Sequence, residues 1–266
     1  MNLNIFSLNS KILDIKEAKA DLSSIEFNYG FGVYETMKVR NGKLFFVKRH
    51  AQRLLFSANQ IFLKHDFSLE NIVSQIENLT GQLLKINESS FSCNLKILLI
   101  GNSDPTKVLL YIIPIAPLFV DRKKYKIGGE LMTFKYSRWQ PQSKSLNMLP
   151  SYVYFSAAKK LGLYDCLFTE EDGEITEGSR TNFFAINQKT IFGSSLDKIL
   201  NGITRQTVLE VAAQNGYNFE EQKITISDLK DKKYQNIFIT STSTKILPIT
   251  KLYLNHQNNI LGIFSS

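Results

Sequence analysis

Apolar and polar positions along the first third of the chain change period twice. Val33 to Arg40 and Lys43 to Val47 read as strands flanking Asn41-Gly42, a pair that accepts the positive φ of a tight hairpin turn. The spacing then turns helical. Ala51, Leu54, Leu55, Ala58, Ile61 and Phe62 fall on one helix face, and Ser68 is placed to cap a second helix carrying Leu69, Ile72, Val73, Ile76, Leu79 and Leu83. Leu95 to Ile100 and Lys107 to Ile115 read as strands joined by the turn Asn102-Ser103-Asp104-Pro105.

Pro114, Pro117 and the basic run Arg122-Lys123-Lys124-Tyr125-Lys126 interrupt this pattern. They predict a smaller N-terminal α/β domain over 1–118, a linker over 119–124 and a larger C-terminal domain over 125–266. The second half opens with strand-like Lys126 to Phe134, then the turn-rich Gln140-Pro141-Gln142-Ser143. A helix is predicted from about Pro150 to Leu161, with proline tolerated in its first turn and Gly162 as its stop. Asp165 to Thr169 and Glu174 to Glu177 are predicted to pair around Asp172-Gly173, and Asn182 to Ile186 is a further strand. Gly202-Ile203-Thr204-Arg205 opens a helix ending near Gly216, and Ile237 to Thr240 is a strand before the polar stretch Ser241 to Lys245 and Pro248.

Composition narrows the class. The 266 residues are 43% hydrophobic and 21% charged, the balance of a globular protein with core enough for one large domain or two smaller ones. Net charge is +8, yet the densest basic run is short and reads as a solvated connector, so no nucleic-acid partner is expected. Cys93 and Cys166 are too few for a disulfide framework and lie in apolar stretches, as buried thiols of a reducing compartment do. No leader-like segment opens the chain, and the apolar run Val108 to Val120 is short and broken by prolines; a cytoplasmic protein off the membrane is expected. His50, His65 and His256 do not cluster, so no metal site is expected. Gly30-Phe31-Gly32 lacks the third glycine of a dinucleotide fingerprint, and no phosphate-binding loop of the Gly-x-x-x-x-Gly-Lys type occurs.

Individually, the candidate chemical groups are weak signals. Lys144 lies between a turn-rich connector and an apolar helix, where a partly desolvated amine becomes nucleophilic; taken alone it reads as a surface lysine. Glu177 at a strand end suits a protonated ring nitrogen or, more commonly, a solvated hairpin. Gly202-Ile203-Thr204 offers backbone N–H groups, a hydroxyl and a helix dipole, a seat for phosphate as well as an ordinary helix start. Ser241-Thr242-Ser243-Thr244 adds hydroxyls or a polar loop, and Arg53 on the flank of the first helix reaches either a phosphate or a surface ion pair.

Their order and text together resemble the class IV aminotransferases, the fold-type IV group of pyridoxal 5′-phosphate (PLP) enzymes. The matching segments are Tyr29-Gly30-Phe31-Gly32-Val33-Tyr34-Glu35, His50-Ala51-Gln52-Arg53-Leu54, Lys144-Ser145-Leu146-Asn147, Thr176-Glu177-Gly178-Ser179-Arg180-Thr181-Asn182-Phe183-Phe184, Ile199-Leu200-Asn201-Gly202-Ile203-Thr204-Arg205 and Thr240-Ser241-Thr242. The resemblance implies a two-domain α/β fold with mixed sheets and PLP as cofactor. Lys144 would be the Schiff-base lysine and proton shuttle, and Glu177 would keep the pyridine nitrogen protonated. Arg53, Ile203, Thr204 and Thr242 would bind the phosphate. Asn182 would support the Glu177 loop, and Tyr29 would lie on the substrate side. A homodimer and a small anionic or amino-acid substrate are also implied.

Within the group, the text points to 4-amino-4-deoxychorismate lyase, which eliminates pyruvate to leave 4-aminobenzoate for folate synthesis. Leu149 stands where branched-chain enzymes usually carry a tyrosine. Ile100 to Lys107 contains neither arginine nor histidine, unlike the Arg-x-His carboxylate trap of the D-amino acid enzymes, and their substrate tyrosine reads as Phe27. Thr36 matches a threonine frequent in lyases, and Lys96 is a candidate partner for a substrate carboxylate. The alternatives are a class IV aminotransferase of D-amino acid or branched-chain type and, from another class, a basic non-enzymatic binding protein.

Overall fold

The computed structural model describes residues 1–19, 23–24, 28–88, 90–117, 119–256 and 259–265; Phe27 lies outside them. The chain divides into two compact units, Met1–Leu118 with Ser143–Asn147, and Phe119–Gln142 with Met148–Ser266. The division is not the single cut at 119–124 that composition suggests, because the short Lys144 segment packs with the first unit.

In the first unit the strands are β1 (Ile5–Leu8), β2 (Lys11–Asp14), β3 (Gly32–Arg40), β4 (Lys43–Leu44), β5 (Cys93–Ile100) and β6 (Leu109–Ile115). They form a six-stranded sheet in the order β2-β1-β6-β5-β3-β4, antiparallel throughout. Period-two alternation in β3 buries Val33, Glu35, Met37 and Val39 on one face. The helices α1 (Val47–Gln60) and α2 (Leu69–Ile86) contribute Leu54, Ala58, Ile72, Ile76, Leu79 and Leu83 to the same core. Ser68 caps α2 by accepting a hydrogen bond from the Asn71 N–H at 3.1 Å. The other face of β3 carries half-buried Tyr34 and Thr36, and Thr36 lies directly opposite Lys96 of β5.

Two boundaries differ from the pattern. Strand β4 stops at Leu44, because Phe46 takes a left-handed φ of 55° and Val47 already starts α1. Lys107 belongs to a 3₁₀ turn whose Thr106 N–H donates to the Asp104 side chain, so β6 begins at Leu109.

The second unit begins with α3 (Lys124–Ile127) and β7 (Gly129–Lys135). Next come α4 (Leu149–Lys160), β8 (Asp165–Thr169), β9 (Ile175–Gly178), β10 (Asn182–Asn187) and β11 (Thr190–Gly193). Then follow α5 (Ile203–Gln214), β12 (Asn218–Glu221), α6 (Ile226–Lys230), β13 (Asn236–Ser241), β14 (Lys245–His256) and β15 (Asn259–Ser265). The nine-stranded sheet is mixed. Its order is β12-β11-β10-β13-β14-β7-β8-β9, with β15 on β14 and a further β9–β10 pairing. Strands β7–β8, β7–β14 and β11–β12 run parallel. Lys126, expected in a strand, sits in α3, which ends where Gly128 takes a φ of 78°. Pro248 lies inside β14, opposite Phe238, so the polar stretch before it shrinks to a tight turn.

Among the described residues, no helix is long and apolar enough to cross a membrane, and no group of His, Cys, Asp or Glu is arranged to hold a metal ion. Cys93 and Cys166 are free and fully buried. Burial pushes the Cys93 thiol up to about 12 and the Cys166 thiol higher still. At pH 8 a maleimide is therefore expected to label neither thiol in the folded protein and both in denaturant, as mass spectrometry would read directly.

Candidate active site

The candidate residues fall into two groups, one in each unit. In the first, the segment carrying Lys144 is laid against β3. The Tyr34 N–H donates to the Lys144 carbonyl at 2.9 Å, the Leu146 N–H donates to the Gly32 carbonyl at 2.9 Å, and Val33 and Ser145 form an antiparallel bridge. Helix α1 holds the same segment from another side. The Lys144 N–H donates to Ser57 Oγ at 3.0 Å, and Ser143 Oγ–H donates to the Ser57 carbonyl at 3.1 Å. The amine is thus mounted on a backbone fixed by two secondary elements. Its Nζ stands 4.4 Å from the centroid of the Tyr34 ring.

Arg53 is not in a surface ion pair. Its Nε and Nη2 donate to the two oxygens of Glu35 at 2.6 and 2.8 Å, and His50 Nδ1 lies 2.8 Å from Glu35 Oε2. Glu35 is completely buried. Burial pushes its carboxyl up, but the Arg53 charge, the hydrogen bonds from Arg53 and the neighbouring His50 outweigh it and hold the group well below the usual carboxylate range. The guanidinium is oriented by a fixed, two-pronged contact.

The second group centres on Glu177, 3% exposed at the end of β9. Its Oε2 accepts the Leu200 N–H at 3.1 Å, while Arg138 Nη1 stands 3.1 Å from its Oε1. Asn182 pairs with Glu177 across β9 and β10, and its Nδ2 donates to the Leu200 carbonyl at 2.8 Å. Leu200 is therefore gripped at both of its peptide groups. Asn182 is thereby linked to the Glu177 carboxyl group through the peptide of Leu200. Gly202 closes the arrangement, since a Cβ there would stand 2.1 Å from Asn182 Oδ1.

Two residues past Leu200, helix α5 starts from Gly202 with no side-chain cap. The first-turn N–H groups, including those of Ile203 and Thr204, have no intrahelical acceptor, and the positive end of the dipole lies there. Nearby, Thr240 pairs with Asn182 across β10 and β13; its hydroxyl is buried and has no hydrogen-bond partner. Thr242 is half-buried in the turn between β13 and β14. An uncapped helix start near an unsatisfied hydroxyl, with a buried carboxyl group accepting the Leu200 N–H two residues before it, suits a phosphorylated, nitrogen-containing ring. Within the second unit the donor set fits PLP: Glu177 would be the acceptor for a ring N–H and the α5 start the seat for a phosphate. Tyr29 is 82% exposed and makes no packed contribution to this set.

Comparisons with known proteins decide the family. The model of the class IV amino-transferases matches residues 32–252. The chain belongs to the class IV aminotransferases. It is 29% identical over 254 residues to a D-alanine aminotransferase of Bacillus licheniformis, covering 92% of this chain and 87% of that one. A probable branched-chain-amino-acid aminotransferase of Rickettsia felis is 27% identical over 261 residues, with 94% and 87% covered. Among solved structures, the branched-chain aminotransferase of Thermoproteus uzoniensis with norvaline has a TM-score of 0.81 at 24% identity, over 97% of this chain and 88% of that one. These likenesses establish the fold-type IV architecture, and class IV aminotransferases are PLP enzymes.

Arg138, Tyr34 and Ser57 are the contacts that reading the sequence did not single out. Tyr34 sits inside the first matching segment, so a signal for it was present; nothing in the spacing of Arg138 or Ser57 marks them. Glu35→Gln should cost about 3–5 kcal/mol, because Arg53 loses its buried partner. A carboxyl held below its ordinary 4.5 contributes stability that is complete above that pH and is lost as the pH falls through its folded value. Urea titrations should therefore show the gap between wild type and Glu35→Gln full at pH 7 and shrinking below about pH 4.5. Gly202→Ala should cost about 1–3 kcal/mol by overpacking Asn182 and weaken PLP binding, which cofactor titration would measure.

Proposed function

We propose that this class IV enzyme is an amino acid aminotransferase acting on D-amino or small apolar amino acids. The observation that carries the reading is the buried Glu177, braced through Leu200 and Asn182, at the uncapped start of α5. The relatives named above, a D-alanine and a probable branched-chain aminotransferase, support transamination over the elimination of pyruvate. Bound PLP supplies an electron sink that stabilises negative charge on the substrate carbon.

The protein's own groups divide the remaining work. Lys144 would hold the cofactor by its amine and move a proton at the substrate α-carbon. Glu177 keeps the ring nitrogen protonated. The N–H groups of Ile203 and Thr204, the hydroxyls of Thr204 and Thr242, and Arg53 bind the phosphate, while Asn182 holds the carboxylate in place. Thr36 and Lys96, opposite each other on the half-buried face of β3 and β5, meet the substrate carboxylate, with Tyr29 at the substrate side. This assigns to Lys96 the anion-binding work that Ile100 to Lys107, without arginine or histidine, does not offer.

The same Thr36–Lys96 pair favours one second reading, 4-amino-4-deoxychorismate lyase. A cation beside a hydroxyl suits a substrate with two carboxylates. A homodimer in the cytoplasm completes both readings, and two buried free thiols are in keeping with a reducing compartment.

Purified protein loaded with PLP should convert D-alanine or a small apolar amino acid only when a keto acid acceptor is present. Release of pyruvate from 4-amino-4-deoxychorismate without any acceptor would instead establish the lyase. Lys144→Ala should remain folded, lose the visible absorbance of the lysine-bound cofactor and fall in turnover by several orders of magnitude.

A further inference from the structure

Arg138 is a cation in contact with Glu177 whose place the cofactor chemistry does not require. Its Nη1 lies 3.1 Å from Glu177 Oε1, and its Nη2 donates to the Pro141 carbonyl at 3.0 Å, so the guanidinium is aimed by the backbone of its own turn. The side chain of Glu177 is only 4% exposed and that of Arg138 20%, so the pair is largely out of water, where opposite charges interact strongly and an unmatched charge is costly.

We propose that Arg138 is a positioning residue that shares Glu177 with the ring nitrogen of the cofactor and so sets how strongly that nitrogen holds its proton. The proposal rests on the reading that Glu177 meets the PLP ring nitrogen. Without cofactor, the guanidinium is a counter-charge for the buried Glu177 carboxyl group. With cofactor, guanidinium and pyridinium compete for one negative charge. The ring nitrogen is then less basic than it would be against a lone buried carboxylate, and the electron sink is weaker but more readily emptied. Leu200 holds the other oxygen and carries no charge, so it leaves this competition unchanged.

Removal of the guanidinium therefore acts differently on the two forms of the protein. In Arg138→Met the empty protein loses this cation beside a buried carboxyl group, while the loaded protein regains positive charge there from the pyridinium. The thermal midpoint of the empty form is expected to fall by at least about 4 °C more than that of the PLP-loaded form. Equivalently, the rise in midpoint on adding PLP becomes larger than in the wild type. With ¹⁵N-labelled PLP, the ring nitrogen of Arg138→Met is expected to keep its protonated chemical shift to higher pH than in the wild type. Arg138→Lys, which retains the charge, is expected to restore the wild-type shift. Should Arg138→Met fold only when PLP is present, that is the same effect in its strongest form. If it folds in neither form, Arg138→Gln, which keeps a donor and drops the charge, takes its place.

Equal losses of midpoint in both forms, with an unmoved ¹⁵N signal, would reduce Arg138 to a structural residue and overturn the proposal. Glu177→Gln separates that outcome from failure of the cofactor reading. A ring-nitrogen signal that moves in Glu177→Gln but not in Arg138→Met overturns the role of Arg138 alone. A signal that moves in neither overturns the placement of the ring at Glu177, and the proposal with it.

Discussion

A carboxylate carried out of water has to be met by positive charge or by hydrogen-bond donors, and both units of this chain are organised around that requirement. In the first, Glu35 is fully buried and is answered by both prongs of Arg53 and by His50. In the second, Glu177 is answered by Arg138 and by a backbone N–H. Glu174 repeats the arrangement with Ser194 and Lys198. Asp165 is the exception. It is fully buried with only neutral donors bonded to it, Ser179 Oγ–H and the Cys166 N–H, and burial pushes its carboxyl above the usual range. Glu35, Glu177 and Glu174 each have a cation within ion-pair distance of a carboxyl oxygen.

This matching explains why the chemistry of a PLP enzyme can be mounted on short strands and turns. Glu177 needs no long element of its own, because Asn182 fixes the peptide of Leu200 and Leu200 fixes the carboxylate. Space for that linkage is kept by Gly202, where a side chain would displace Asn182. The same glycine leaves α5 without a cap, so the requirement that braces the carboxylate also opens the helix start.

Much of the fold was legible in the sequence. Apolar periodicity located β3, β5, α1 and α2, because each has one buried face and a clean repeat. The hairpin at Asn41-Gly42 followed from backbone sterics, with both residues at positive φ. What escaped was decided by tertiary contact. Lys126 belongs to a four-residue helix too short to display a period, and Pro248 is accommodated within a strand that the local text argued against. Arg138 and Glu177 are far apart in sequence, and nothing local links them. The division of reaction types was hardest to read. Leu149 and the missing Arg-x-His pointed away from the aminotransferases, whereas the relatives named above are aminotransferases.

The mounting of Lys144 on β3 makes the first unit discontinuous: its chain is interrupted after residue 118 and resumes for Ser143–Asn147. A fragment ending at residue 118 would lack the carbonyl that receives the Tyr34 N–H and the N–H that reaches the Gly32 carbonyl. During synthesis, that edge of the sheet stays open until the ribosome has released the lysine segment. The Lys144 segment is consequently among the last pieces added to an otherwise complete unit, and premature termination between these points leaves that part of the sheet without its backbone partners.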